Sequence, residues 1–230
     1  MKPFNKLLKS KTMQLIIKLF NSNRKINSVL FLFTIYCLLL LVVRAKLTNT
    51  IYLFFLVWNL FLAFVPYFFI SYIKTQITVH KSKIKTVSLL FLWLLFLPNS
   101  FYILTDLIHL SQSSNHLFWF DLVVISSYAL IGFTIGIVSL IEFENIIKTY
   151  TSTLITNLLM AAICFLCGVG IYLGRILRYN SWDIISNPFE LVRAIFLSVT
   201  SANALLFSFY FGVYIYLFLS LKKIYSIINQ

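Results

Sequence analysis

The sequence predicts an all-α membrane protein, a polytopic transmembrane helix bundle of about six spans with both termini in the cytoplasm. Hydrophobic residues make up 60% of the 230 residues and charged residues only 11%. Soluble domains are about 45–50% apolar and about one quarter charged. A soluble chain of this size could not cover its surface with so few polar residues, so we expect the apolar excess to face lipid.

Six apolar stretches are long enough to cross a bilayer, because a transmembrane helix needs about 20 predominantly apolar residues. Together they define a single transmembrane helical domain over residues 27–230. The first stretch follows a polar, basic lead and has no small-residue cleavage site before Arg44, so we expect a retained helix and not a signal peptide. The approximate bounds are 27–43, 50–73, 86–108, 118–141, 152–174 and 194–220.

Residues 1–26 form a basic segment in which apolar residues recur in a roughly helical rhythm. Such a segment can lie flat on a membrane, but a basic anchor that only sets topology needs no further partner and is the favoured interpretation. In both cases we expect this amphipathic segment to be cytoplasmic. Its partner is then a lipid bilayer with anionic headgroups.

Charge predicts the orientation. The net charge is +13, but the basic residues cluster between apolar stretches, so membrane flanks explain them better than nucleic acid does. With the N-terminus inside, the cytoplasmic segments hold 14 Lys and Arg residues and the outer segments hold 5. The positive-inside rule therefore predicts that both termini are cytoplasmic.

The end of the third span carries polar residues that a bilayer should exclude. Pro98 is expected to kink the helix and free backbone carbonyls, which Asn99 and Ser100 can satisfy. If an α-helix resumes after Pro98, one face carries a polar stripe at spacings of three, four and three residues. The stripe consists of Asn99, Tyr102, Asp106 and His109, with Thr105 beside it.

A second polar segment, at 174–190, follows the fifth span. Within it, Asn187, Pro188 and Glu190 resemble the start of a helix. Its other polar residues are Arg175, Arg178, Asn180, Trp182 and Asp183. Under the predicted topology this segment shares the outer side with the stripe, so Arg175 or Arg178 could pair with Asp106, Asp121 or Asp183.

Two other acidic positions have simpler explanations. Asp121 begins the fourth span, where the helix dipole favours a negative charge. At the inner end of that span, Glu144 and Lys148 have the spacing of an i,i+4 pair.

The candidate site is therefore an outer-face polar cluster, or equally an interhelical clasp, meaning a set of polar bonds that only holds the bundle together. Its members are Asn99, Tyr102, Asp106, His109, Asp121, Arg175, Arg178, Asn180, Trp182 and Asp183. No cofactor and no metal are predicted, because Cys164 and Cys167 have no further zinc ligands nearby. The G-x-x-x-G pairs at 132–136 and 170–174 predict close helix packing, and homo-oligomer formation is left open.

At these residues the sequence resembles a bacterial membrane-protein family known as domain of unknown function 1361. The resemblance is carried by LPNSFYILTDL at 97–107, WFD at 119–121 and GIYLGRILRYNSWD at 170–183. It covers the chain from the second to the sixth span and leaves out the basic tail. The resemblance implies a multi-pass protein of the bacterial cytoplasmic membrane and assigns no catalytic residues.

Three function classes remain open. The first is binding or transport of a polar or anionic solute through the polar cluster, since Arg clamps phosphate and carboxylate. The second is a non-catalytic structural or assembly subunit of a membrane complex. The third is an outward-facing enzyme acting on a lipid-linked envelope substrate, although no recognised catalytic motif is present.

Overall fold

The computed structural model describes residues 23–77, 83–113 and 116–228, and within these ranges the chain is helical with no strand. Short 3₁₀ segments precede the second helix, at Tyr52–Phe54, and extend the third, at Ile103–Gln112. The α-helices are α1 (Arg24–Thr48), α2 (Phe55–Ile77), α3 (Lys83–Tyr102), α4 (Phe118–Ile147), α5 (Thr153–Arg175), α6 (Asp183–Ser186), α7 (Pro188–Thr200) and α8 (Ala202–Ile228).

Among the described residues, six helical stretches are long and apolar enough to cross a membrane. They are Arg24–Thr48, Tyr52–Gln76, Ile84–Gln112, Phe118–Ile147, Thr153–Arg175 and Ala202–Leu221. The predicted all-α bundle of about six spans is therefore confirmed. The orientation of the termini stays a prediction, and most of the predicted segment 1–26 lies outside the described residues.

The apolar run predicted as one span at 194–220 is divided in the structure. The short helix α7 ends at Thr200, Ser201 is extended with φ −87° and ψ 122°, and α8 then begins at Ala202. The Thr200 hydroxyl at this junction donates to the Phe196 and Leu197 carbonyls at 3.2 and 3.0 Å, bonds of the kind that compete with helix continuation. The predicted start of α7 is confirmed, with Pro188 in its first turn, although the Asn187 side chain makes no capping bond.

Helix α4 is the centre of the bundle and packs against α1, α2, α3 and the second 3₁₀ segment. Small residues on α4 allow this close approach. A Cβ added to Gly132 would lie 2.3 Å from Ile103 Cγ2, and one added to Gly136 would lie 2.6 Å from the Phe101 ring. Polar bonds add to the packing, since Trp93 Nε1 on α3 donates to Ser139 Oγ at 2.8 Å inside the bundle.

The other G-x-x-x-G pair, on α5, receives the same end of α3. A Cβ on Gly170 would lie 2.4 Å from Pro98 Cγ, and one on Gly174 would lie 3.2 Å from the Tyr102 ring. Both glycine pairs therefore serve packing within the chain.

Ion pairs mark the two ends of the bundle. One end, here called the Arg175 end, holds the last turns of α1 and α5, the second 3₁₀ segment and the first turn of α4. The opposite end, the Lys74 end, holds the last turns of α2 and α4. There Lys74 Nζ lies 2.7 Å from Glu142 Oε2, and the predicted pair of Glu144 with Lys148 is present at 2.9 Å.

Candidate functional site: a cavity beside a buried ion pair

Asp106 and Arg175 form an ion pair at the Arg175 end. The guanidinium donates to Asp106 Oδ1 and, through Nε, to Thr105 Oγ1 at 2.7 Å. The other carboxylate oxygen of Asp106 accepts a hydrogen bond from Asn59 Nδ2 on α2 at 2.8 Å. Because the Asp106 side chain is 1% exposed and that of Arg175 18% exposed, the pair is largely removed from solvent. With the bond from Asn59, the pair connects α2, the 3₁₀ extension of α3 and α5.

The 3₁₀ geometry after Tyr102 determines where the polar stripe points. The predicted stripe assumed a continued α-helix, but Ile103–Gln112 has about three residues per turn, so Asp106, His109 and Gln112 are aligned along one face. Asp106 then contacts α2 and α5. The Tyr102 ring lies beneath the Arg175 guanidinium, with 4.5 Å between the guanidinium carbon and the ring centroid, which is a cation–π contact.

Side chains satisfy the backbone around Pro98, as the sequence predicted for Asn99. Asn99 Nδ2 donates to the Phe96 carbonyl at 3.0 Å and to Ser181 Oγ at 3.0 Å. Ser181 Oγ in turn donates to the Leu95 carbonyl at 3.3 Å. The prediction for Ser100 was wrong in its partner, because its hydroxyl donates to the Ala63 carbonyl of α2 at 2.8 Å. These bonds attach the 179–184 loop to α3.

A cavity of 460 Å³ lies between this loop, α2, α3, α5 and α7. Ligand pockets typically measure about 300–1,000 Å³ and are mostly apolar with a few polar groups. The apolar lining is contributed mainly by Leu62, Phe91, Leu94, Leu95, Leu166, Val169, Leu173, Leu191 and Ile195. The polar lining residues are Asn59, Asn99, Tyr102, Tyr179, Asn180 and Ser181, with the indoles of Trp58 and Trp182.

The cavity reaches the side of the helix bundle. Trp58, Phe91 and Leu166 line it and are respectively 53%, 57% and 46% exposed. Phe91 and Leu166 lie well inside membrane-spanning helices, so this side faces the acyl-chain region when the bundle is in a bilayer. The cavity thus combines lateral access from lipid with polar groups near the Arg175 end.

The structure thus brings part of the predicted cluster together: Asn99, Tyr102, Asn180 and Trp182 line the cavity, and Asp106 and Arg175 lie behind Tyr102. Asp121 lies elsewhere, in a two-contact ion pair with Arg44 of α1, at 3.0 Å from Nε and 3.2 Å from Nη2. It also accepts from Ser113 Oγ at 2.6 Å. The helix-dipole interpretation therefore missed its main partner.

The remaining predicted residues, His109, Asp183 and Arg178, lie outside the cavity lining. His109 packs on Phe55 and its Nδ1 lies 3.1 Å from the Tyr52 hydroxyl. Asp183 accepts from the Asn180 backbone N–H at 2.6 Å and from Ser186 Oγ at 2.8 Å. Arg178 is exposed, has a φ of 62°, and forms no salt bridge with any described residue.

Sequence reasoning overlooked three polar residues. Arg44 was counted as a loop cation, Asn59 was passed over inside an apolar span, and Lys74 was treated as a flank. Each now has a buried acidic partner: Asp121, Asp106 and Glu142 respectively. The rule that polar side chains within spans are costly and need partners would have identified Asn59. Arg44 lay beyond the predicted end of the first span, which the structure extends to Thr48.

Fold and site define a multi-pass helical membrane protein with a laterally open cavity next to a buried ion pair. The chain belongs to the family described as protein of unknown function DUF1361, whose model matches residues 58–218. That range starts at Trp58 in the cavity wall and includes Asp106, Arg175 and all other cavity residues. No curated protein and no solved structure matches the chain.

Proposed function

We propose that this protein binds an amphiphilic molecule within the bilayer, with the apolar chain between α3, α5 and α7 and the polar head at Asn59, Asn99 and Tyr102. The observation that carries the proposal is the 460 Å³ cavity, which is apolar toward the middle of the bundle and polar toward the Arg175 end. An amphiphile in a bilayer has the same polarity gradient.

This ligand class refines the hypothesis of a polar or anionic solute. Arg175 would be the natural anion clamp, but its guanidinium is already engaged by Asp106 and Thr105. A free anion would have to compete with a buried carboxylate, and separating such a pair is costly. An amphiphile gains most of its affinity from the apolar wall and needs no free cation.

Photoaffinity labelling tests the proposal. The purified protein in phospholipid nanodiscs is irradiated with a long-chain amphiphile carrying a diazirine in its chain, and the labelled peptides are mapped by mass spectrometry. We expect saturable labelling of the peptides containing Leu94, Leu166 and Leu191, which line the cavity. An excess of the same amphiphile without the diazirine should compete for this labelling.

A matched pair of variants on α3 controls for labelling from bulk lipid. Leu95→Trp places a larger side chain inside the cavity and should abolish the saturable labelling. Leu92→Trp, on an exposed part of the same helix outside the cavity lining, should leave it unchanged. Equal labelling of wild type and Leu95→Trp would contradict ligand binding in this cavity.

For location, we infer the bacterial cytoplasmic membrane, with both termini in the cytoplasm and the Arg175 end outside. The charge distribution over the loops supports this orientation, with 14 Lys and Arg residues assigned inside and 5 outside. The bound amphiphile would then have its head near the outer leaflet.

A structural or assembly subunit is the second candidate. The ion pairs of Arg44, Lys74 and Arg175 favour it, because each of them joins two different helices and so holds the bundle together. We do not extend the proposal to catalysis on a lipid-linked substrate, since His109 and Asp106 hold separate partners. The labelling experiment separates the two candidates, because an architectural subunit needs no saturable ligand.

A further inference from the structure

The hydrogen-bonding pattern of two amides in the cavity wall restricts the ligand's head. Asn59 Nδ2 faces the Asp106 carboxylate, and Asn99 Nδ2 faces the Phe96 carbonyl. Both of these partners can only accept hydrogen bonds, so the orientation of each amide is determined by chemistry. The nitrogen of Asn99 uses both of its hydrogens, the second on Ser181 Oγ.

The side-chain carbonyl oxygens of the same two amides have no hydrogen-bond donor among the described residues. Neither Asn59 Oδ1 nor Asn99 Oδ1 accepts a hydrogen bond from any residue that the structure describes, and both side chains are half-buried in the cavity wall. A partly buried acceptor is costly when it stays unpaired. The polar part of the cavity therefore presents two acceptors that a donor on the ligand can pair.

The charge of the cavity restricts the head further. Among the described residues its lining contains no Asp, Glu, Lys, Arg or His. Of the charged residues beside it, Asp106 and Arg175 neutralise each other, Asp183 accepts from the Asn180 backbone, and Arg178 is exposed outside the lining. An ionised head would lose its hydration on entering the cavity and would find no counter-charge there. This loss costs several kcal/mol in a low-dielectric site. A neutral head avoids this cost.

From these two restrictions we propose that the ligand is a neutral amphiphile whose head donates hydrogen bonds, that is, a hydroxyl-bearing lipid such as a long-chain alcohol or an acylglycerol. A hydroxyl donates to Asn59 Oδ1 or Asn99 Oδ1 and can still accept from the Tyr102 hydroxyl at the same wall. This inference rests on the proposed amphiphile binding and specifies its chemistry.

The experiment compares three diazirine probes with the same saturated chain and different heads: a primary alcohol, a sulfonate and a quaternary ammonium. All three are applied to wild-type protein in nanodiscs, and cavity labelling is counted only where Leu95→Trp removes it. We expect the alcohol to label the cavity at least about ten-fold better than either ion, because only the ions are penalised by desolvation.

Removing one acceptor provides the second measurement. Asn99→Ala removes this acceptor together with the two bonds that the Asn99 nitrogen donates, and it should weaken competition by the unlabelled alcohol by at least about five-fold, the value of one ordinary hydrogen bond. Asn27→Ala serves as the control, because it also removes a side-chain bond, from the Tyr67 hydroxyl at 2.6 Å, but lies outside the cavity wall. The comparison of probe heads does not use Asn99→Ala and stands even if that variant does not fold.

The outcomes separate the two proposals. Cavity labelling that is strongest with the sulfonate or the ammonium overturns the hydroxyl inference and leaves amphiphile binding intact. Equal weakening of alcohol competition by Asn99→Ala and Asn27→Ala also overturns it, since the Asn99 carbonyl would then make no ligand contact. No cavity labelling by any of the three probes overturns amphiphile binding itself.

Discussion

Asp106 and Arg175 lie 69 positions apart in the chain and form one ion pair at the junction of three membrane-spanning helices. The carboxylate belongs to the 3₁₀ extension of α3, the guanidinium ends α5, and Asn59 of α2 completes the hydrogen bonds of the carboxylate. The pair forms the wall behind Tyr102, so it supports the polar end of the cavity without lining it.

A double-mutant cycle should show that this pair is strongly coupled. Arg175→Gln leaves a buried carboxylate without its counter-charge, so we expect it to lower the free energy of unfolding by about 3 kcal/mol. Asp106→Asn strands the guanidinium in the same way, and the double variant should lose less than the sum of the single variants. Reversible unfolding in mixed micelles provides the measurement. Additive losses would mean that the two charges do not stabilise each other.

The glycines of α5 should differ sharply in their tolerance of a methyl group. A Cβ on Gly168 would lie 2.2 Å from the backbone oxygen of Ser208, whereas one on Gly174 would lie 3.2 Å from the edge of the Tyr102 ring. Because backbone yields less readily than a side chain, we expect Gly168→Ala to cost about 1–3 kcal/mol and Gly174→Ala clearly less. Thermal unfolding in detergent tests this order. A larger loss for Gly174→Ala would contradict the packing of α5 on α8.

Arg44 should not be replaceable by lysine. Its guanidinium holds both oxygens of Asp121 and also donates to Thr50 Oγ1 at 2.7 Å, a geometry that one ammonium group cannot reproduce. We expect the midpoint of thermal unfolding of Arg44→Lys to lie between those of wild type and Arg44→Gln. Lys46→Gln, at an exposed position of the same helix, is the control and should match wild type. A wild-type midpoint for Arg44→Lys would show that charge alone suffices.

Cysteine accessibility should reveal which side of the membrane the Arg175 end faces. In a background without Cys37, Cys164 and Cys167, single cysteines replace Ser111, Asn187 and Tyr150, all of which are exposed. We expect an impermeant maleimide to label positions 111 and 187 in intact cells, and position 150 only after permeabilisation, because this orientation places 14 of the 19 Lys and Arg residues inside.

Two other labelling patterns carry different meanings. The reverse pattern would invert the proposed orientation while leaving the fold unchanged. Labelling of positions 111 and 187 from opposite sides would contradict the bundle itself, because Ser181 of the 179–184 loop is bonded to Asn99 and Leu95 of α3.

The amino-acid sequence by itself determined the fold class, the six spans and the segments in which polar residues gather. These follow from local quantities, since the length and apolarity of a stretch decide whether it can cross a bilayer. The bond from Asn99 to the Phe96 carbonyl and the start of α7 at Pro188 were predictable for the same reason, because each depends on neighbours within one turn.

Only the tertiary structure decided which charges meet. The sequence left Arg175 and Arg178 as equal partners for three carboxylates, yet Arg175 binds Asp106, Asp121 binds Arg44 and Arg178 stays exposed. In lipid, hydrophobicity does not determine which helix faces meet, because acyl chains are as apolar as the side chains. Close steric fit determines it instead, as where Gly170 receives Pro98. That fit brings α3 and α5 together. The contact between these two helices places Asp106 beside Arg175 and forms part of the cavity wall.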